Sequence, residues 1–312
     1  MIWIIGTGNI GTVYANILND LKVDYIAIGR GEESASKFRD ATGHEVITGG
    51  LERFLASNPI LPDKAIVTVR TKDLVKVEIA LIKYGVKVML CEKPGYYRPS
   101  ELEDLEAVVK EHDAKLYIAY NRRFYASTLK AEEIIREDGG VTSFNFEFTE
   151  WVRLFEKRVG DYPETLFYAN SSHVVDLAFF LGGFPKEMSC YTADRIPWHN
   201  PAIYAGAGVS DKGALFSYQA NWKAPGRWVV EVLTRKHRLY FKPMETLQIQ
   251  QMDTVKVEPV EIDDSLDKLF KPGFYLETKA FLNDDYTRFC TFEQQVEHVR
   301  NFYMKMGKPS GE

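Results

Sequence analysis

Short apolar runs recur through the first part of the chain, at Ile2–Ile5, Tyr25–Ile28, Glu45–Ile47, Ala65–Val69, Val86–Leu90 and Leu116–Ala119. Between them apolar residues fall at helical spacing, as in Ile10, Val13, Ile17, Leu18 and Leu21, and again in Leu74, Val77, Ala80, Leu81 and Tyr84. Continuous apolar runs suit strands buried on both faces, and strands alternating with helices call for a parallel sheet with helices on either side. The pattern predicts a doubly wound Rossmann domain over residues 1–122.

Beyond Asn121-Arg122-Arg123-Phe124 the periodicity changes. A helical stretch from Leu129 to Arg136 stops at Gly139-Gly140, and Phe144, Phe146 and Phe148 then alternate with polar residues as in a strand with one buried face. Ser171 to Leu181 reads as a helix closed by Gly182-Gly183. Met188–Thr192, Ala214–Gln219, Trp228–Leu233 and Leu239–Phe241 read as strands separated by turn residues. Glu293 to Met306 reads as a last helix before a frayed tail. Residues 123–312 are thus expected to form an α+β domain, an open-faced, mostly antiparallel sheet with helices on one face. The other face, carrying some of Phe144, Phe146, Phe148, Trp228 and Val230, is expected to be covered by a second subunit.

Composition narrows the function. The 312 residues carry 39 Lys and Arg against 44 Asp and Glu, a net charge of -5, which supplies no basic field for nucleic acid. Three widely spaced cysteines, Cys91, Cys190 and Cys290, fit neither a disulfide framework nor a metal knuckle and read as reduced thiols. No leader-like or membrane-length apolar segment is seen, so a soluble cytoplasmic protein is expected. No metal-ligand spacing, nucleophile elbow or P-loop occurs.

Gly6-Thr7-Gly8-Asn9-Ile10-Gly11 follows an apolar strand and opens an amphipathic helix, the context in which a GxGxxG turn cradles a pyrophosphate at a helix N-terminus. The second strand ends Ile28-Gly29-Arg30, so the residue expected to accept the ribose hydroxyls of NAD is a cation. A guanidinium can grip a 2′-phosphate, which favours NADP over NAD; the alternative is a solvated Arg30 with Glu32 or Glu33 reaching the ribose. Cys91-Glu92-Lys93-Pro94 closes the fifth strand, where ligands of open α/β sheets bind. An ammonium at Lys93 suits a substrate hydroxyl, and position alone leaves surface solvation equally open.

The Gly6-to-Gly11 turn, Glu92-Lys93-Pro94 and Tyr120-Asn121-Arg122-Arg123-Phe124, in this order, resemble the Gfo/Idh/MocA oxidoreductases over essentially the whole chain. The resemblance implies an NAD(P)-dependent dehydrogenase or reductase acting on a sugar, sugar derivative or polyol, a homodimer or homotetramer formed through the second sheet, and a catalytic lysine at Lys93. Glu92 and Lys93 join Gly6–Gly11 and Arg30 as expected cofactor contacts. Ser172-His173-Val174-Val175-Asp176 matches a family helix bearing His and, three residues on, Asp. His173 is expected in the first turn of that helix, where the dipole favours a neutral proton acceptor, with Asp176 orienting the helix or the ring. Substrate contacts are expected from Lys93, Asn121, Arg123, Asn170 and His173.

Two departures bear on activity. The acid that many members carry four positions before the histidine is Ala169 here, and the loop after the fourth strand reads Thr68-Val69-Arg70-Thr71 where Thr-Pro and a histidine are common. A non-catalytic nucleotide-binding sensor on the same fold is the alternative function. Trp198-His199-Asn200-Pro201 with Tyr204 reads either as a sugar-facing aromatic loop or as a packed turn.

Overall fold

The computed structural model describes residues 1–156 and 165–309. The last three residues of the expected tail lie outside that range. The chain forms two compact units, residues 1–121 with 266–296, and residues 122–265 with 297–312.

The first unit is built on β1 (Ile2–Ile5), β2 (Tyr25–Ile28), β3 (Val46–Ile47), β4 (Lys64–Val67), β5 (Val88–Glu92) and β6 (Lys115–Ala119). They lie parallel in the order β6-β5-β4-β1-β2-β3, so the chain direction across the sheet reverses between β1 and β4. The apolar runs are buried as their continuity requires, with every residue of β1 and β4 buried. The fifth strand begins two residues later than Val86. Gly85 ends the preceding helix in a left-handed conformation, and the Val86 amide is used to cap it by donating to the Leu81 carbonyl (3.0 Å).

The segment Leu266–Val296, which a single boundary at 122 assigns to the second domain, packs with the first unit. Its helix Phe274–Leu282 lies against the helix Asn9–Asp20, where Tyr14 Oη donates to Glu277 Oε2 at 2.8 Å in a buried contact. It also supplies a short edge strand, Cys290–Thr291, antiparallel to β6.

The second unit holds β7 (Ser143–Glu147), β8 (Pro185–Ala193), β9 (Ile203–Ser210), β10 (Leu215–Asn221), β11 (Val229–Leu233), β12 (His237–Phe241), β13 (Gln248–Gln251) and β14 (Val257–Pro259). Their order is β14-β13-β12-β11-β7-β10-β9-β8, antiparallel throughout except for the β7–β10 pair. The aromatic stripe faces inward. Phe179, from the helix Ser172–Gly182, meets Phe146, Phe216 and Phe302 with ring centroids 5.0–5.3 Å apart.

This corrects the expected interface. Phe144, Phe146, Phe148, Trp228 and Val230 are all buried within the chain, because the period of two directs them and the helix to the same side. The opposite face carries Asn145, Glu147, Ser217, Gln219, Glu231 and the exposed Tyr191. Among the described residues no helix is long and apolar enough to cross a membrane.

Candidate active site

In the first unit, the turn between β1 and the helix Asn9–Asp20 has the shape that a pyrophosphate needs. Gly6 adopts φ +110°, and a side chain at Gly11 would bring its Cβ to 2.0 Å from the Gly6 carbonyl oxygen, so neither position accepts another residue unstrained. A Cβ at Gly8 would meet nothing within 4 Å; the backbone there faces open space. Thr68, just past β4, fixes the turn by donating its hydroxyl to the Gly6 carbonyl (2.9 Å). The first amides of the helix, at Asn9, Ile10 and Gly11, precede any intrahelical acceptor and are available to an anion.

A cavity of about 420 Å³ continues from this turn, lined among others by Gly8, Arg30, Ser34, Thr68 and Arg70. Arg30 is exposed to solvent and paired at the same time. Its guanidinium is paired with Asp73 at 3.1 Å, and Arg70 reaches the same carboxylate at 3.4 Å. Asp73 therefore holds two guanidiniums at one wall of the cavity, an arrangement that the sequence did not signal because Asp73 lies 43 positions beyond Arg30. The donor set and the open space at Gly8 fit a dinucleotide with its pyrophosphate at Gly6–Gly11.

Lys93 follows β5 directly and is half-buried. The loop that carries it is tied down from the returning segment: Gln295 Nε2 donates to the Pro94 carbonyl (3.0 Å) and also bonds Tyr120 Oη, at the end of β6. Gln295 is fully buried and escaped the sequence reading, which had no reason to bring residue 295 to residue 94. Glu92 is desolvated by burial, which raises its pKa, while Lys93 and Lys271 pull it back. Its Oε1 is buried and has no hydrogen-bond partner among the described residues. Asn121 is buried and donates to the Pro272 carbonyl (2.9 Å), so its amide nitrogen serves the fold.

In the second unit, His173 is the second residue of the helix Ser172–Gly182 and is 9% exposed. The first-turn expectation needs correction. A π-helical segment, Phe167–Ser171, runs straight into this helix, and Ser171 itself has helical dihedrals, so the positive end of the dipole lies earlier in the chain. The expected roles of Arg123 and Asp176 change too. Arg123 is 4% exposed and grips Asp176 through two parallel bonds, Nε to Oδ2 at 2.9 Å and Nη2 to Oδ1 at 2.6 Å. Both groups are committed to a buried ion pair, which replaces substrate contact for Arg123 and ring orientation for Asp176.

Asn170 donates its amide to both oxygens of Glu150 (3.1 and 3.0 Å), and Ser171 Oγ donates to Glu150 Oε1 at 2.7 Å. Burial raises the Glu150 carboxyl to about 7, against the lowering effect of Ser171, Arg227 and Asn170. The sequence held only a partial signal: Glu150 keeps the even-numbered count of Phe144, Phe146 and Phe148, but β7 ends at Glu147 and Thr149 is buried as well. The Trp198–Pro201 segment is a packed turn, with His199 Nδ1 2.9 Å from the Pro201 carbonyl oxygen and Tyr204 Oη donating to that oxygen at 2.8 Å.

Residues 1–120 match the family model described as GFO_IDH_MocA, an oxidoreductase family with an NAD-binding Rossmann fold. A comparison with curated proteins finds no match. Among solved structures the chain is similar to a levoglucosan dehydrogenase in complex with NADH, at a TM-score of 0.76 and 16% identity over 98% of this chain and 95% of that one. It is also similar to a UDP-N-acetylglucosamine 3-dehydrogenase from Acidithiobacillus ferrooxidans (TM-score 0.74, 15% identity, 98% and 96% covered). An NAD binding oxidoreductase from Klebsiella pneumoniae is similar over 96% of this chain and 93% of its own, at a TM-score of 0.69 and 18% identity. At these identities the likeness is one of fold.

Proposed function

We propose that this chain, whose nucleotide-binding domain is that of the Gfo/Idh/MocA oxidoreductase family, is a dehydrogenase or reductase in which a bound nicotinamide supplies or accepts the hydride at a carbinol or ketone carbon of a sugar, sugar derivative or polyol. The observation that carries the reading is Lys93, held at the carboxyl end of β5 by Gln295 in the same sheet that presents the Gly6–Gly11 turn. Lys93 binds the reacting hydroxyl, and His173 takes its proton in oxidation and returns it in reduction. Asn170 contributes to substrate binding from the turn before His173. The sugar class is supported by the names of two fold neighbours, a levoglucosan dehydrogenase and a UDP-N-acetylglucosamine 3-dehydrogenase.

Arg30 supports NADP as the preferred cofactor, since a guanidinium at the cavity wall suits a 2′-phosphate. A homodimer or homotetramer formed through the open face of the second sheet, and a cytoplasmic location with reduced thiols, complete the reading.

The test is turnover of a sugar and polyol panel with NADPH and with NADH. Lys93→Met is expected to lower the rate by about 10²–10⁴ while cofactor affinity is nearly kept, since the pyrophosphate is expected at the Gly6–Gly11 turn and Lys93 adds at most one contact. Full activity in that variant would end the catalytic assignment. Ala169, where the resemblance described above implies an acid, favours a second reading as a nucleotide-binding sensor. Ligand binding without turnover across the panel would support it.

A further inference from the structure

Glu150 is a buried carboxylate paired only loosely with a cation. Its side chain is fully buried, and the nearest guanidinium, on Arg227, stands 3.5 Å away with 41% of its own side chain exposed. By contrast Asp176 has a bidentate arginine at 2.6 and 2.9 Å. Glu150 is held chiefly by neutral donors, the amide of Asn170 and the hydroxyl of Ser171, both in the π-helical turn that runs into the His173 helix. Widened turns of this kind are found at functional sites more often than in plain scaffold. The other side of the group also leads to His173. Arg227 lies over the Trp228 ring at 4.1 Å, and that ring is 6.3 Å from the His173 ring.

We propose that Glu150 is a positioning residue of the substrate site: it fixes the Asn170 amide and the Ser171 hydroxyl in the turn that leads into the His173 helix. The proposal rests on the dehydrogenase reading above. When Glu150 is ionised it accepts both Asn170 contacts, so the amide nitrogen is occupied and the Asn170 carbonyl oxygen remains for a substrate hydroxyl. When Glu150 is protonated, one oxygen becomes a donor and the paired acceptance is lost. The groups that set this balance are Ser171, Arg227, Asn170 and the Trp228 indole, all of which favour the ionised form against burial, while Tyr204 and Arg122 face the cluster through Glu150 and Arg227. Burial brings the transition close to neutrality.

Two measurements on the full chain test this. In protein labelled at asparagine nitrogen, the Asn170 side-chain amide, assigned by its loss in Asn170→Ala, is expected to shift with pH with a midpoint near 7. Glu150→Gln should abolish the transition and Glu150→Asp should retain it at a displaced pH. An Asn170 amide signal that is the same in wild type and in Glu150→Asp, folded by circular dichroism, at every pH between 5.5 and 8.5 overturns the proposal. The second measurement is kcat and KM against pH with a substrate turned over in the panel. Glu150→Gln is expected to raise KM about tenfold or more and to remove the limb near neutrality, with partial recovery in Glu150→Asp; an unchanged profile overturns the positioning role. If no substrate is turned over, the dehydrogenase reading fails by that result, and the amide titration judges Glu150 by itself.

Discussion

Glu78 lies on the apolar stripe of the helix Leu74–Tyr84, in line with the buried Leu74, Leu81 and Ile82, and is itself fully buried. Among the described residues neither carboxyl oxygen meets a donor at ordinary hydrogen-bond distance, and the buried thiol of Cys91 on β5 is the neighbour that lowers its pKa. Burial, reinforced by the charge of Glu101, raises its pKa from 4.5 to about 8. A carboxyl raised on folding binds its proton more tightly in the native state, so its contribution to stability is fully present below pH 4.5 and is lost as pH rises toward 8. Each tenfold change in proton affinity is worth about 1.4 kcal/mol, and the whole displacement therefore amounts to about 5 kcal/mol, of which about 3 kcal/mol falls between pH 6 and 8.5. Methionine has a similar volume and no proton to lose. Glu78→Met should therefore gain about 3 kcal/mol on the wild type between those two pH values, a relative rise in melting temperature of roughly 6–12 °C for a unit of about 150 residues. Thermal unfolding of both proteins across this range is the assay. The comparison is made as a difference, because Glu150 and Glu92 are also raised by burial and titrate in both proteins. Parallel curves for wild type and variant would refute the argument that Glu78 is folded in its protonated form.

Two further outcomes are expected. Arg123→Met leaves Asp176 buried and unpaired and should cost about 3–5 kcal/mol in urea denaturation, whereas Arg123→Met with Asp176→Leu should recover most of that loss; a single substitution costing under about 1 kcal/mol would contradict the buried pair. Arg30→Ala should weaken NADPH binding about ten- to hundredfold in calorimetric titration while leaving NADH nearly unchanged, and equal losses for both would remove the 2′-phosphate assignment.

The parts of this protein legible in its sequence are those governed by near neighbours. Tyr25–Ile28 forms a strand over its expected residues because an apolar run of that length, bounded by turn residues, can bury both faces. Gly6, Gly8 and Gly11 announce their turn because backbone clashes within a few residues decide which positions tolerate a side chain. Period alone also placed Phe144, Phe146 and Phe148 on one face of a strand. It did not say what covers that face, and the helix bearing Phe179 proved to do so where a second subunit was expected. The return of Leu266–Val296 to the first unit, which brings Gln295 to the Lys93 loop and Glu277 to Tyr14, depends on contacts across 201 and 263 positions that leave no local pattern. The same holds for the commitment of Arg123 to Asp176 and for the carboxylate that Glu150 brings to the turn before His173. Spacing along the chain encodes which face a side chain occupies, while the identity of its partner is decided by packing, since only the folded chain sets which polar groups lose water together and must find one another.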